Sequence, residues 1–328
     1  MSKRRNTRKI ACFSLILILA LVMVYSGLQI LESTVFYNQS DKQEVVVSKT
    51  ITRNGIDYFP RQDITVIMVL GIDQYGVVKD SASYNNSGNA DMVALLIFDE
   101  KNEKASVLCL NRDTMVEMPV LGIGGRQAGT AYQQLTLAHT YGSGLEDSCE
   151  NTRNTVSDLL YGIKIDYYFS MNMDAISVLN DAVGGVTVNV VDDFSAVDPS
   201  ITRGEMKLFG QQAINYVRTR KGVGDQLNTS RMERQKGYIR GLLDVLQEKI
   251  EESDSFAISA YSDVSPYVVT DISSNVFSSM LQRYSGYALE EIVSPEGSNV
   301  RGEEYMEFYL DEEKLDELII RLFYAPKK

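Results

Sequence analysis

The chain has 328 residues, of which 44 are Asp or Glu and 32 are Lys or Arg, so its formal net charge at pH 7 is −12. Duplex nucleic acids are bound largely through Lys and Arg that neutralise phosphates, so this balance argues against a nucleic-acid partner. Hydrophobic residues make up 44% of the chain and charged residues 23%, which excludes wholesale disorder and collagen-like sequence. One large domain or two small ones would fit this length.

The first 30 residues have the pattern of a membrane anchor. Residues 1–9 form a basic tail without acids, and residues 10–30 form an uncharged apolar run. Such a run is long enough to cross ~30 Å of hydrocarbon as a helix. A cleaved signal peptide is the alternative, but the run exceeds a usual signal-peptide core and lacks a convincing cleavage site. We therefore predict one transmembrane helix in the cell membrane, with the N-terminus cytoplasmic and residues 32–328 extracytoplasmic.

The remaining chain divides by composition into three parts. Residues 31–62 are polar and are interpreted as an extracytoplasmic stalk. Residues 63–250 are predicted to form the main domain, and residues 251–328 a C-terminal subdomain packed on the same core. Apolar runs at 63–73, 91–99 and 104–113 predict buried strands, the last two joined by a tight hairpin.

Helical spacing alternates with these strands in the second half of the main domain. It occurs at residues 145–162, 172–185 and 230–250, and Ser230 and Glu233 fit an S-x-x-E capping box for the last helix. Alternating strands and helices indicate the α/β class. We predict a three-layer α/β/α sandwich with a central mixed sheet, preceded by the transmembrane helix.

Cysteine and histidine offer little chemistry in this chain. Cys109 and Cys149 could pair outside the membrane or remain buried thiols, and the apolar run around Cys109 favours a thiol there. His139 is the single histidine, and its mildly apolar setting favours a structural role. A Ser-His-Asp or Cys-His mechanism or a zinc site is therefore disfavoured.

Arginines gather at predicted strand and helix ends. Arg112 follows a buried strand, Arg218 and Arg220 lie two apart, and Arg231 and Arg234 fall near the start of a helix, where cations are unfavourable. Guanidinium groups near free helix N–H groups suit a phosphate or pyrophosphate. The competing interpretation is that each arginine pairs with one of the many surface carboxylates.

Two aspartates end or begin neighbouring strands. Asp73 closes the first apolar run and Asp91 opens the second, so a shared cleft is expected. One or two carboxylates together with substrate phosphates commonly hold Mg²⁺, which neutralises charge on a transferring phosphoryl group. Either aspartate could instead be a simple turn residue.

An ordered series of motifs over residues 63–250 resembles the LytR-CpsA-Psr family. The motifs are LGID, NADM, NRDTMVEMP, IDYYFSMNMDAISVLNDAVGGVTVNV, GQQAINYVRTR and GDQLNTSRMERQ. Members are membrane-anchored extracytoplasmic enzymes. They transfer polyprenyl-pyrophosphate-linked glycopolymers, such as teichoic acid or capsule precursors, to peptidoglycan in a Mg²⁺-dependent phosphotransfer, and some glycosylate proteins.

The resemblance implies a role for each matching residue. Asp73 and Asp91 would be metal-associated, Arg218 and Arg220 would bind the pyrophosphate, and Arg112 would contact it in catalysis. The last motif supplies two further catalytic candidates and two further substrate-binding candidates. These are Asp225 and Arg231, and Arg234 and Gln235. Asp225 would either orient an arginine or assist in deprotonating the acceptor.

Two departures and two rival functions qualify this resemblance. Asn111 replaces the family's usual Pro, and Gly88, Asn89 and Ala90 replace a stretch that commonly carries an arginine before Asp91. A polyprenyl-pyrophosphate hydrolase would use the same groups with water as acceptor. A polyprenyl-phosphate-binding regulator is the non-enzymatic rival, although residues 1–9 are too few for a DNA-binding module.

Overall fold

The computed structural model describes residues 50–79, 88–253, 256–273, 276, 279–280, 283–284 and 287–327. The predicted tail at 1–9, the predicted transmembrane helix at 10–30 and most of the predicted stalk lie outside these residues. Within the described part, no helix combines the length and the hydropathy that a membrane crossing needs.

A six-stranded mixed sheet forms the centre of the fold. Its strand order is β11-β8-β3-β4-β5-β12, with β8 parallel to β3, β12 parallel to β5, and the other neighbours antiparallel. The strands are β3 (Ile64–Ile72), β4 (Ala90–Asp99), β5 (Lys104–Leu110), β8 (Tyr167–Asn172), β11 (Val268–Thr270) and β12 (Ala288–Val293). The predicted mixed sheet and the hairpin between β4 and β5 are confirmed.

Both faces of the central sheet are buried, which explains the continuous apolar runs. Ile67 and Val69 of β3 contribute to one core cluster, whereas Val66 and Met68 contribute to the other. Helices pack on both faces. They are α1 (Leu137–Thr140), α2 (Leu145–Leu159), α3 (Met173–Ala182), α4 (Gln211–Arg218), α5 (Asn228–Glu252), α6 (Phe256–Val264) and α7 (Glu312–Phe323).

Helix α5 begins at Asn228, two residues before the predicted start, so the capping box assigned to Ser230 is wrong. The Asp225 carboxylate accepts a hydrogen bond from the backbone N–H of Leu227 at 2.8 Å and closes the turn that precedes the helix. Asn228 can therefore enter the first turn while its side chain makes tertiary contacts.

Residues assigned to the stalk and to the C-terminal subdomain share sheets with other parts of the chain. β1 (Ile51–Arg53) and β2 (Ile56–Pro60) form a three-stranded sheet with β15 (Tyr324–Pro326). Folded structure thus starts before Asp63. β11 and β12 are the edge strands of the central sheet, so the C-terminal residues complete that sheet as well as packing on it.

Three two-stranded sheets extend from this framework. β6 (Met115–Leu121) pairs with β7 (Gln127–Gln134), β9 (Val186–Val190) pairs with β10 (Gly204–Leu208), and β13 (Gly297–Arg301) pairs with β14 (Met306–Leu310). A 3-10 turn at Ser265–Tyr267 leads into β11. The first and third of these hairpins flank the candidate site.

Candidate functional site

Strand ends converge at one edge of the central sheet. β3 and β5 end there and the antiparallel β4 begins there, which brings Asp73, Asp91 and Arg112 to the same edge. The loop after α4 and the first turn of α5 approach this edge, because the Arg231 guanidinium reaches both Asp91 and the backbone oxygen of Arg218. We call the set Asp73, Asp91, Arg112, Asp113, Arg218, Arg220 and Arg231 the arginine cluster.

Asp91 is the buried centre of the cluster. Its Oδ1 contacts Nη1 of Arg112, and its Oδ2 accepts a hydrogen bond from Nη1 of Arg231 at 2.9 Å. The residue is 8% exposed and Arg231 is 3% exposed. A buried carboxylate is costly unless it is paired and hydrogen-bonded, and the two guanidinium groups offset this cost for Asp91.

Asp113 contacts Arg112 on its other side and links it to Arg220. Its Oδ1 lies 3.3 Å from Nε of Arg112, and its Oδ2 lies 3.2 Å from Nη1 of Arg220. Gln134 adds a hydrogen bond from Nε2 to Oδ1 at 3.0 Å. Asp113 therefore fixes both the sequence-predicted Arg112 and the sequence-predicted Arg220, a role that was not assigned to it from the sequence.

Asp73 and Arg218 form the more open side of the cluster. Nη2 of Arg218 lies 2.9 Å from Oδ1 of Asp73, and the guanidinium carbon lies 5.8 Å from the ring centroid of Tyr75. The side chain of Arg218 is 43% exposed and that of Asp73 is 30% exposed. These two groups can exchange protein contacts for a ligand more readily than Asp91 and Arg231 can.

Burial and, to a smaller extent, the neighbouring charge of Arg231 lower the pKa of Arg112 to about 10. The pKa of Arg231 is also lowered to about 10, chiefly by burial. Both groups remain protonated at neutral pH. Their lowered pKa values mean that the positive charge is poorly solvated, and a bound anion would stabilise it.

Three sequence-predicted residues direct their hydrogen bonds to partners outside the arginine cluster, although Gln235 also lines the apolar cavity beside it. Arg234 pairs with Asp192 at 2.6 Å and donates to the backbone oxygens of Tyr216 and Thr219. Gln235 donates to the backbone oxygen of Val217 at 3.1 Å, and the exposed Asp225 carboxylate accepts from Leu227. Arg234 and Gln235 thereby brace the segment that carries Arg218 and Arg220.

Asn111 and Asn228 join the cluster although sequence reasoning gave neither a role in it. Asn228 Nδ2 donates to Asn111 Oδ1 at 2.6 Å, and Asn228 Oδ1 accepts from Nη2 of Arg231. Nδ2 of Asn111 and Nε of Arg231 are among the buried side-chain atoms without a hydrogen-bond partner in the described residues. The replacement of the usual Pro by Asn111 was the one sequence signal for this contact.

An apolar cavity of about 110 Å³ opens beside the arginine cluster. It lies between the central sheet and helices α3 and α5, and its walls are almost entirely apolar. Lining side chains from the sheet and from the helices include Val69, Ala94, Phe169, Ile176, Leu179 and Ile239. Asp91, Arg218 and Arg231 line the same cavity, so an apolar chain and a charged group can be held end to end.

Metal ligation was predicted for Asp73 and Asp91. In the described ranges, no three His, Cys, Asp or Glu side chains come together in a way that could hold a metal ion. The two carboxylates provide oxygen ligands of the kind Mg²⁺ prefers, with phosphates and water supplying the rest. Both oxygens of Asp91 are held by arginines, so a cation on Asp91 would displace a guanidinium, whereas Asp73 is the more accessible ligand.

Cysteine and histidine side chains lie outside the cluster. Cys109 and Cys149 are buried free thiols. Of the two alternatives that the sequence left open, the structure therefore has the thiols and not the disulfide. His139 is buried, and its Nδ1 lies 2.9 Å from the backbone oxygen of Gly88. This contact agrees with the structural role predicted for His139, because Gly88 lies in the segment that leads to Asp91.

Comparison with known proteins supports the fold and the motifs together. The model of the LytR_cpsA_psr family matches residues 24–322. The polyisoprenyl-teichoic acid–peptidoglycan teichoic acid transferase TagU of Bacillus licheniformis is 23% identical over 84% of this chain and 82% of its own length. The corresponding transferase TagV of Bacillus subtilis is 27% identical over 75% of this chain and 59% of its own length. The crystal structure of B. subtilis TagV superposes with a TM-score of 0.60 at 25% identity, covering 80% of this chain and 96% of that one.

Proposed function

The chain belongs to the LytR_cpsA_psr family, and we propose that it is a membrane-anchored phosphotransferase that moves a glycopolymer from a polyprenyl-pyrophosphate carrier to a peptidoglycan hydroxyl. The observation that carries this proposal is the apolar cavity that Asp91, Arg218 and Arg231 also line. A lipid-linked pyrophosphate has the same division into an apolar chain and a polyanionic group. The names of TagU and TagV agree with this substrate class.

In this proposal the polyprenyl chain lies in the cavity and the pyrophosphate contacts the arginine cluster. Arg218 and Arg220 are the more exposed arginines and provide the first contacts, while Arg112 and Arg231 are held in place by Asp91 and Asp113. Guanidinium forks match phosphate oxygens in pairs. Groups fixed before the reaction stabilise developing charge without reorganisation, which is the main source of catalysis expected here.

The reaction is a single displacement at phosphorus. The acceptor hydroxyl oxygen forms a bond to the phosphorus that carries the sugar, and the bond from that phosphorus to the bridging oxygen breaks. Polyprenyl phosphate leaves with the bridging oxygen, and the hydroxyl proton passes to a base or to water. Asp225 is the candidate base, because its exposed carboxylate lies in the loop between Arg220 and α5.

We propose Mg²⁺ as the cofactor, held by Asp73 and, after exchange with a guanidinium, by Asp91. When bound, it would add positive charge next to the phosphate oxygens. The membrane anchor at 10–30 and the extracytoplasmic position of the domain are parts of the same proposal, and they place the active site on the side where peptidoglycan is found.

Phosphorus NMR on the full chain in lipid nanodiscs tests the proposal. The donor is a synthetic polyprenyl-pyrophosphoryl disaccharide, supplied with Mg²⁺ and with or without a peptidoglycan oligomer. A glycan phosphodiester together with lipid monophosphate, formed only with the oligomer, is expected. Free glycan phosphate without an acceptor would assign the hydrolase instead, and an unchanged donor spectrum would overturn both enzymatic readings.

A pair of arginine variants provides the control. Arg112→Ala removes a guanidinium from the cluster and is expected to abolish transfer. Arg283→Ala removes a guanidinium that pairs with Glu100 outside the cluster, and its turnover should match the wild type. Equal turnover by the two variants would contradict the assignment of the site.

A further inference from the structure

Two hairpins join beside the arginine cluster. The hairpin β6–β7 and the hairpin β13–β14 meet where Thr114 and Phe308 form an isolated parallel β-bridge. The backbone N–H of Phe308 donates to the backbone oxygen of Asp113 at 2.9 Å. Gln134 donates from Nε2 both to Oδ1 of Asp113 and, at 2.6 Å, to the backbone oxygen of Met306. The joined hairpins are therefore fastened to the residue that holds Arg112 and Arg220.

The outward side of these hairpins carries exposed tyrosines. Tyr132 is 57% exposed, Tyr305 is 60% exposed and Tyr309 is 40% exposed. Val116 and Met118 of β6 are buried in the core, so the alternation of the strand leaves Glu117 and its cross-strand partner Tyr132 on the other side. Aromatic rings with a polar end are enriched at recognition surfaces, because they give large contact area at low entropic cost.

Carboxylates accompany the tyrosines. Glu307 accepts a hydrogen bond from the Tyr309 hydroxyl at 2.7 Å, and Glu303 and Glu304 lie in the turn of the same hairpin, with Arg301 as its one basic residue. A polyanionic glycopolymer would be repelled by these groups. A neutral sugar suits them, because ring faces pack against its C–H groups while carboxylates accept from its hydroxyls.

We propose that this surface, consisting of Glu117, Tyr132, Tyr305, Glu307 and Tyr309, binds the acceptor glycan strand, an N-acetylated amino-sugar chain without net charge. The proposal rests on the transferase function and identifies where its acceptor substrate binds. The pyrophosphate of the donor occupies the arginine cluster, and the acceptor reaches that cluster along the two hairpins. Continuity through Asp113 sets the direction from which the attacking hydroxyl arrives.

Binding is tested with the full chain in nanodiscs and an oligosaccharide of β-linked N-acetylglucosamine, titrated by calorimetry in the absence of any donor. The double variant Tyr132→Ala with Tyr309→Ala should raise the dissociation constant about tenfold. Tyr309→Phe keeps the ring and should bind close to the wild type. Phe59→Ala, which removes an exposed aromatic ring from β2, is the matched control and should leave binding unchanged.

A transfer assay provides the second readout. The double variant should raise KM for the peptidoglycan oligomer while KM for the lipid donor stays within a factor of two. Wild-type protein that fails to bind the oligosaccharide, or a double variant that binds it as the wild type does, would overturn the proposal. Failure of the transferase itself would be seen in the phosphorus spectrum, whereas the titration contains no donor, so the two failures are distinguishable.

Discussion

Asn228 donates a hydrogen bond to Asn111 at 2.6 Å and so ties the first turn of α5 to the end of β5. The same Asn228 side chain accepts a hydrogen bond from Arg231, whose guanidinium holds Asp91. Arg231 is thus positioned from two sides, by the Asp91 carboxylate and by an amide that is itself fixed to the neighbouring strand. This contact positions Arg231 without meeting the proposed substrate.

Replacement of this amide should affect turnover more than substrate affinity. Asn228→Ala removes the acceptor for Arg231, and a displaced catalytic group commonly costs up to about a hundredfold in rate. We expect kcat to fall by about tenfold to a hundredfold with a smaller change in donor KM. Asn215→Ala, which removes an amide that contacts Asp198, is the control. Wild-type kcat in Asn228→Ala would refute the positioning role.

Asp113 is expected to matter for both stability and activity. Asp113→Asn keeps the shape but removes the charge that Arg112 and Arg220 share, and it turns an amide NH₂ toward groups that are themselves donors. Loss of about 1–3 kcal/mol of unfolding free energy is expected, together with loss of transfer. Chemical denaturation and the phosphorus assay measure these two effects. Asp193→Asn, at an exposed turn, should change neither, because the amide oxygen can still accept from the Ser195 N–H.

His139 should make stability depend on pH. Burial lowers its pKa to about 4 from 6.5, so between those values the unfolded chain takes up a proton that the folded chain does not. The unfolding free energy therefore rises as pH increases from about 4 to 6.5, and the contribution amounts to about 3 kcal/mol. Below pH 4 the full destabilisation is present, and above pH 6.5 it has gone.

The variant that isolates this effect is His139→Gln, which keeps a side-chain N–H for the backbone oxygen of Gly88. Denaturation curves measured between pH 4 and 7 give the unfolding free energy at each pH. This free energy should rise less steeply with pH for the variant than for the wild type. Carboxylates titrate in both proteins, so their contribution cancels in the difference. Identical slopes would show that His139 is not the group responsible.

Filling the cavity should separate lipid binding from phosphate binding. Ala94 lies on β4 in the cavity wall, and Ala94→Leu would occupy space that the polyprenyl chain needs. We expect weaker binding of a polyprenyl pyrophosphate, unchanged binding of inorganic pyrophosphate, and equal or higher thermal stability, because added methyl groups fill a void. Ala325→Leu on the exposed side of β15 is the control. Undiminished lipid affinity in Ala94→Leu would place the lipid elsewhere.

Sequence patterns predicted the buried strands and most of the cluster, because these depend on local signals. The runs 64–72 and 90–99 are mainly apolar, and strand ends bring Asp91 and Arg112 to one edge. The direction of Arg234 was not predictable. Arg231 and Arg234 are three residues apart on one helix, yet one reaches Asp91 and the other Asp192, and only the tertiary fold decides which carboxylate lies within reach.

Edge strands and the site's polar positioning contacts escaped prediction for a similar reason. β11 is a three-residue strand of intermediate burial, so its sequence carries neither a long apolar run nor a clear alternation. Asn111 and Asn228 are ordinary turn or cap residues when read locally. Their role arises from a contact between segments far apart in the chain, which no local periodicity records.

The pairing of β2 with β15 has a consequence for how the protein is made. Residues 56–60 emerge early from the ribosome, but the strand that covers their edge is synthesised only near the end of the described chain. Until then β1 and β2 form a hairpin with an open edge, which is marginally stable alone and prone to pairing with other chains. The growing chain therefore passes through a long interval in which β1 and β2 lack their third partner, and the synthesis of β15 is the event that closes this edge.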